Sequence, residues 1–381
     1  MDSVRWKFED VLAYTWIRDA RLFHYLENWE PDPQLPGATI YLTKIQTFQR
    51  HNVTSAYRIA GVVTEQNGSN SNKSAKNKTV RPEFASKISK AFLDALYAFL
   101  DGLVHLASDD WQDLSKSSVV DPSRTLINRD IDISSTHTRL LLVLSNLGNL
   151  SQTLIPNMFN QMEIVFGSSA EEERQTLAAV LVEVDRTLFD DYAKQTAMNL
   201  TRLIREGIMD TNMDWFETPR PTEVRPYIFE TLMYLVSVHA HVNTVAKSLL
   251  ERTLNSLIED LIDEALACFR QVRRFGMGGM LRATLEMEFM HKVLQPYVTK
   301  KADAQLKEIY KKISESYVRR GEDDNLQEAL EGVKKTLSDT RKATGIEFLC
   351  FRGPGKSSES SGKSERNRNR EVKEGREGRR S

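Results

Sequence analysis

The chain has 381 residues, with 52 Lys+Arg against 53 Asp+Glu and a formal net charge of −1. That length is a prior for two or three domains, each able to bury a core. With 18 glycines and 11 prolines, the chain lies well below the roughly 12% Gly+Pro of average usage. Collagen-like, low-complexity and loop-rich all-β classes are excluded, and helices are favoured. The two cysteines, Cys268 and Cys350, form no Cys-x-x-Cys pattern. A disulfide scaffold and a cysteine-based zinc site are excluded with it.

No apolar run is long enough to span a bilayer. The longest, Ala95–Leu100 and Leu177–Val182, fall far short of the roughly 18 residues a transmembrane helix needs. The N-terminus is acidic and aromatic, without the apolar stretch of a secretory signal. The expected compartment is the cytoplasm.

Prolines punctuate the chain, and the long proline-free stretches between them leave room for uninterrupted helices. Residues 3–29 form a first helical pattern, with Trp6, Leu12, Trp16, Leu22 and Leu26 among its apolar positions, ended by a proline-rich loop. Residues 38–60 read as a second, weaker helix, so 1–63 is a helical segment. Residues 64–80 are rich in Asn, Ser and Lys and have no apolar period. They cannot bury enough surface to offset ordering and are expected to be a disordered insertion.

A helical bundle is expected over 81–215. Pro82 suits a first helical turn, and Phe84, Ile88, Phe92, Ala95, Phe99, Leu103 and Leu106 recur every three or four residues, an amphipathic stripe. A polar connection covers 108–134, followed by helix over 140–166 interrupted near Pro156. Ser169-Ala-Glu-Glu172 reads as a capping box. The next stripe runs Leu177, Leu181, Val184, Leu188, Tyr192, Leu200, Leu203.

A C-terminal helical bundle is expected over 216–351. Its clearest stripe is Leu250, Leu254, Leu257, Leu261, Ala265, Cys268, Val272. Phe275-Gly-Met-Gly-Gly279 should break the helix, because glycine tolerates turn geometry. Helices follow at 280–295, 302–318 and 324–343, the last with Leu326, Leu330, Val333 and Leu337 as its apolar positions. The tail, 352–381, carries ten basic and five acidic residues and reads as disordered. The fold class is all-α, in consecutive bundles.

Candidate chemistry is sparse. Glu288-Phe-Met-His291 has the Glu-x-x-His spacing of di-iron bundles, but such a site needs a second copy and two further inward carboxylates. Only one copy is present, so a surface or interface pair is the better reading and a ferritin-like metal protein the weaker one. His239 and His241, two apart, point away from one another on a helix. The run Phe275–Met280 lacks the preceding strand and the Gly-Lys-Ser/Thr of a phosphate loop, so it reads as a tight interhelical corner. Neither a nucleophile elbow nor an acid–base pair is evident. A non-enzymatic protein without cofactor or metal is expected.

Arg270, Arg273, Arg274 and Arg282 flank that corner. Arg273, Arg274 and Arg282 are candidate contacts for an acidic partner or lipid head groups, against the plainer alternative that Arg273 and Arg274 complement the helix dipole. Met277, Met280, Met287 and Met290 could form an adaptable groove, although core packing suits their spacing better. The tail's interleaved glutamates favour a solvated segment over a contact with anionic membrane, and no nucleic-acid partner is expected.

Three runs resemble a known family. Val224-Arg-Pro-Tyr-Ile-Phe-Glu-Thr-Leu-Met-Tyr-Leu-Val-Ser-Val-His-Ala-His, Ser248-Leu-Leu-Glu-Arg-Thr-Leu-Asn-Ser-Leu-Ile-Glu-Asp-Leu and Cys268-Phe-Arg-Gln-Val-Arg-Arg-Phe-Gly-Met-Gly-Gly-Met-Leu-Arg-Ala-Thr-Leu-Glu-Met-Glu-Phe-Met-His291 resemble the exocyst complex component 2 family, the Sec-five subunit. Asp339–Phe351 looks like the fungal form. The likeness is specific over 224–351 and weaker over 1–63 and 134–215. It implies an elongated rod of helical bundles of the CATCHR tethering type, and a non-catalytic subunit of the complex that tethers post-Golgi vesicles to the plasma membrane. The partners it implies are other exocyst subunits, with Rab-, Rho- or Ral-type small GTPases and anionic membrane lipids as further candidates. Family members are much longer; this chain looks like their C-terminal part, without the pairing coiled coil or the Ral-binding immunoglobulin-like domain of animal members. A runner-up reading, a peripheral membrane-binding helical module, would use the basic corner and tail.

Overall fold

The computed structural model describes residues 2–65, 80–108, 131–167, 170–319 and 325–352. Among the described residues the secondary structure is helical throughout, with no strand and only two isolated β-bridges. The all-α expectation therefore holds. Most of the expected insertion at 64–80, much of the 108–134 connection, Ser169 of the capping box and nearly all of the tail lie outside the described residues. Thr64 and Glu65 belong to a helix, not to the insertion.

Met1–Gln195 with His241–Leu250 form one compact unit, and Thr196–Ala240 with Glu251–Ser381 form the other. The first unit holds α1 (Asp2–Arg21), α2 (Ile40–Glu65), α3 (Pro82–Ala107), α4 (Thr136–Asn149), α5 (Ile155–Phe166) and the first part of α6 (Glu171–Ile208). The end of α7 (Pro226–Val245) also belongs to it.

Residues 1–63 do not stand apart from the bundle that follows. Trp16 of α1 meets Phe92 of α3 edge-on at 6.5 Å, and Phe23 meets Phe99 at 5.3 Å. Large rings buried together at these separations add a geometric preference to their area burial. The expected α3 stripe is buried at every position, and Pro82 sits in its first turn. The interruption near Pro156 is a π-turn, Leu150–Leu154, between α4 and α5. Proline lacks the N–H that a continuous helix would use there, and the extra residue in the turn absorbs the mismatch.

Helix α1 ends at Arg21, eight residues before the expected limit, and gives way to a short 3-10 turn, Phe23–Leu26. Trp16 and Ala20 of α1 and Phe23 of the turn are buried, while Leu22 and Leu26 point to solvent. The chain between α1 and α2 folds into a pinned loop. Pro31 and Thr39 form an antiparallel bridge, and Asn146 of α4 holds Thr39 by accepting its N–H and donating to its hydroxyl, both at 2.9 Å. Thr39 in turn donates to Glu27, which also accepts the N–H of Trp29. Trp29 has φ +60°, uncommon for a bulky residue, and the Glu27 contact holds it there.

The second unit holds the end of α6, most of α7, α8 (Leu250–Gln271), α9 (Met277–Leu294), α10 (Lys300–Glu315) and α11 (Leu326–Ala343). In α8 the residues Leu254, Leu257, Leu261, Ala265 and Cys268 are fully buried, as their spacing predicts. Burial and the nearby Glu264 carboxylate push the Cys268 thiol up to about 12, so it packs as a small apolar group. In α11 the buried seam is Ala329 and Val333; Leu330 is exposed and Leu326 and Leu337 are half-buried. The small residues form the seam and the expected leucines flank it.

The glycine corner is built differently from the expected turn. The chain leaves α8 at Gln271, and α9 already begins at Met277, which puts Gly278 and Gly279 inside its first turn. None of Gly276, Gly278 and Gly279 has a positive φ. A Cβ at Gly276, Gly278 or Gly279 would overlap the backbone oxygens of Phe216, Thr218 and Trp215 respectively. These glycines serve close backbone approach, not turn geometry.

Candidate partner-binding surface at the glycine corner

The linker between α8 and α9 is strapped on both sides. On one side the Gly276 N–H donates to the Trp215 carbonyl at 3.1 Å. On the other, Phe275 and Tyr317 form a parallel bridge: the Phe275 N–H donates to Ser316 O at 2.8 Å, and the Val318 N–H donates to Phe275 O at 2.9 Å. Phe275 itself is buried, with its ring 5.5 Å from that of Trp215. A linker held by backbone bonds on both edges and by an aromatic anchor is rigid, so side chains projecting from it are preorganised.

Beneath it lies a charged clasp that local sequence reading does not reveal. Arg225, just before α7, donates twice to Glu286 of α9, at 2.7 and 2.9 Å, and once to Gly207 O of α6 at 2.9 Å. Tyr227 donates to the same carboxylate at 2.8 Å. The Glu286 side chain is 0% exposed and that of Arg225 14%. A buried carboxylate is tolerated only when paired and hydrogen-bonded, and here three donors converge on it. Burial and the Glu286 charge push the Tyr227 phenol well above its ordinary value, so it stays a donor. The Arg225 guanidinium also lies 5.0 Å from the Trp215 ring and 4.7 Å from the Tyr227 ring, and Trp215 donates its ring N–H to Ile208 O at 3.0 Å. The only sequence signal for the clasp is its place in two of the runs that carry the resemblance. Its partners are 61 residues apart, beyond any helical period.

Of the candidate arginines, Arg273 and Arg274 lie in the strapped linker and both are exposed. They follow the C-terminus of α8, where positive charge also complements the dipole. The Arg274 guanidinium rests 4.1 Å above the Phe216 ring. Arg273 forms no ion pair among the described residues. Arg282 sits on α9, half-buried, with its Nε enclosed and without a hydrogen-bond partner. Arg270 is engaged by Glu308. Two acids on α8 are likewise used within the unit: Glu264 takes both prongs of Arg205, and Glu259 accepts from Thr299 and Lys301. Arg273 is thus a cation of this linker without an acidic partner among the described residues.

The other candidates separate. Met277, Met287 and Met290 are buried and Met280 is half-buried, which is core packing. Glu288 accepts from Tyr310 at 3.0 Å and pairs with Lys292 at 3.3 Å, and its nearest approach to His291 is 3.9 Å. Among the described residues no group of three or more His, Cys, Asp or Glu is placed to hold a metal ion. His239 packs against Phe351, while His241 faces Thr138.

The family model described as "Exocyst complex component Sec5" matches residues 1–351. The chain is 28% identical over 225 residues to human exocyst complex component 2, covering 59% of this chain and 23% of that protein. It is 25% identical over 308 residues to exocyst complex component SEC5A of Arabidopsis thaliana, covering 72% and 28%. The Drosophila melanogaster exocyst complex component 2 aligns over 165 residues at 23% identity. The matched part is thus about a quarter of the length of the human and Arabidopsis relatives and 17% of the Drosophila one. No helix among the described residues is long and apolar enough to cross a membrane. A match running from the first residue through Phe351, over an all-helical chain whose clasp lies inside the resembling runs, means that the chain belongs to the exocyst complex component Sec5 family.

Proposed function

We propose that this chain acts as a non-catalytic part of an exocyst tethering subunit, docking post-Golgi secretory vesicles to the plasma membrane during exocytosis. The observation that carries the reading is the family match across residues 1–351. The protein works in the cytoplasm and at plasma-membrane sites of secretion, as part of a rod of helical bundles, and we read its closing run as of fungal type. Its principal partners are other exocyst subunits; Rab-, Rho- or Ral-type small GTPases and anionic lipids are the further candidates. The rigid linker carrying Arg273 and Arg274, with Arg282 behind it, supplies the basic surface for such contacts.

Binding of this chain to each purified exocyst subunit, measured in a pull-down series and by calorimetry, tests both statements. At least one subunit should bind, and Arg273→Glu with Arg274→Glu should weaken it about tenfold or more, since like-charge juxtaposition across an interface costs kilocalories. Binding of a subunit unaffected by the double reversal moves the interface away from the corner. Failure of every subunit to bind the folded chain removes the claim that this portion carries an assembly surface.

A further inference from the structure

The 3-10 turn after α1 is seated against α3 by a pair of histidines. His24 of the turn is half-buried. Its ring meets that of His105, in the last turn of α3, edge-on at 5.1 Å, and the Tyr25 ring lies 4.2 Å away. The seat on α3 is Gly102, where a Cβ would stand 3.1 Å from the His24 Cβ. Glycine inside a helix costs stability relative to alanine, and this close approach accounts for the one at 102. The His24 Nδ1 is enclosed and has no hydrogen-bond partner. Beside it, Phe23 anchors the turn against Phe48 and Phe99, at ring separations of 5.1 and 5.3 Å.

An imidazole placed this way suits its uncharged form. In the imidazolium both ring nitrogens are donors, so protonation would put a charged N–H into an enclosure where nothing accepts it. With His105 also protonated, two like charges would face one another across the contact. Burial and the charge of His105 hold the His24 imidazole below its ordinary value, against opposing pulls from the Arg21 backbone and from Asp101, exposed on α3. Other charges around the turn offer the imidazolium little. Lys44 of α2 donates to Leu26 O at 2.8 Å, and the Arg21 side chain at the end of α1 is exposed; both are cations. Glu27, just past the turn, accepts from Thr39 and from the Trp29 N–H. A histidine held below its ordinary value stabilises the seated state above about pH 6.5, and that contribution is lost as pH falls from there through the lowered value.

We infer that His24 and His105 form an acid-operated latch: the turn Phe23–Leu26 is seated on α3 while both rings are neutral and is released as they take up protons. The latch belongs to the first unit and does not depend on the tethering reading.

Amide hydrogen exchange of the full chain, read by mass spectrometry on peptides over residues 22–27 and corrected at each pH for the intrinsic rate, measures the opening. Between about pH 7.5 and 5.5 the opening constant of the turn should rise about tenfold or more, within the limit of about tenfold per pH unit for each proton taken up. Peptides of α8 should not respond. His241, also of the first unit, is likewise held low by burial and by the charge of His137, so variants of the pair itself decide. His24→Phe keeps a ring and takes no proton; its turn should stay protected and lose the acid response. His105→Gln, at an exposed position, should leave protection at neutral pH intact and remove about half of the response or more, since the facing charge is gone. A wild-type turn whose protection does not change with pH overturns the latch. So does an acid response that His24→Phe retains in full, which assigns it to His241 or to carboxylates. Where His24→Phe fails to seat at neutral pH, His105→Gln carries the test, and an undiminished response in that variant overturns the latch as well.

Discussion

In the first unit the loop between α1 and α2 is pinned through a chain of mostly neutral hydrogen bonds, running from Asn146 through Thr39 to Glu27 and the backbone of Trp29. In the second unit the start of α7 is fixed by one buried ion pair, Arg225 with Glu286, onto which Tyr227 also converges. The neutral chain shares its load over several modest bonds, each worth about 0.5–1.5 kcal/mol net. The clasp concentrates its load on a single carboxylate removed from water. A buried pair is costly to break because one charge is left behind, even where the intact pair adds little over an apolar replacement. The second unit should accordingly be the more brittle of the two to single changes.

The largest expected effect follows directly. Glu286→Leu leaves the Arg225 guanidinium buried without its partner and should destabilise the second unit by about 3–5 kcal/mol. Arg225→Met should cost a similar amount, while the double variant should recover most of it. Trp215 is the tryptophan of the second unit and lies against Arg225, so urea denaturation followed by tryptophan fluorescence reports the change. Additive losses in the double variant would mean that the clasp stabilises by packing and not by pairing.

The first unit supplies the intermediate effect. Asn146→Ala removes both bonds to Thr39, which is 1% exposed, and strands a backbone N–H. The expected cost is about 1–3 kcal/mol, with faster amide exchange at Thr39 than in α3. A loss as large as that of Glu286→Leu would remove the contrast between the units.

What the amino-acid pattern discloses divides along the same line. The stripe of α3, its proline start, the break before Pro156 and the core face of α8 are all local, because helical spacing alone decides which side chains share a face. Arg225 and Glu286 could not be paired from spacing, being 61 positions apart. The three corner glycines were visible as residues, but their reason was not: the carbonyls they accommodate belong to residues 215–218, about sixty positions earlier. Local spacing likewise counted Leu22 and Leu26 among the apolar positions of a helix over 3–29, whereas the helix ends at Arg21 and the buried residues are Trp16, Ala20 and Phe23. Of the candidate surface, Arg273 and Arg274 were found because charge beside a corner is a local feature. That Arg282 lies half-buried depends on how α9 packs.

The smallest effect separates the two exposed arginines. Arg274 lies over the Phe216 ring at 4.1 Å, and an exposed cation–π contact contributes about 0.5–1 kcal/mol. Arg273 touches no ring and no acid among the described residues. Arg274→Ala should therefore lower the stability of the second unit by about 0.5 kcal/mol, and Arg273→Ala should leave it unchanged in the same urea titration. If a partner binds this corner, Arg273 approaches it without giving up an internal contact, whereas Arg274 is already oriented by Phe216 and loses little rotamer freedom on binding. Equal stabilities for the two variants would mean that the Phe216 stack is not formed in solution. The preorganisation assigned to Arg274 would go with it, leaving the corner with two equally mobile cations.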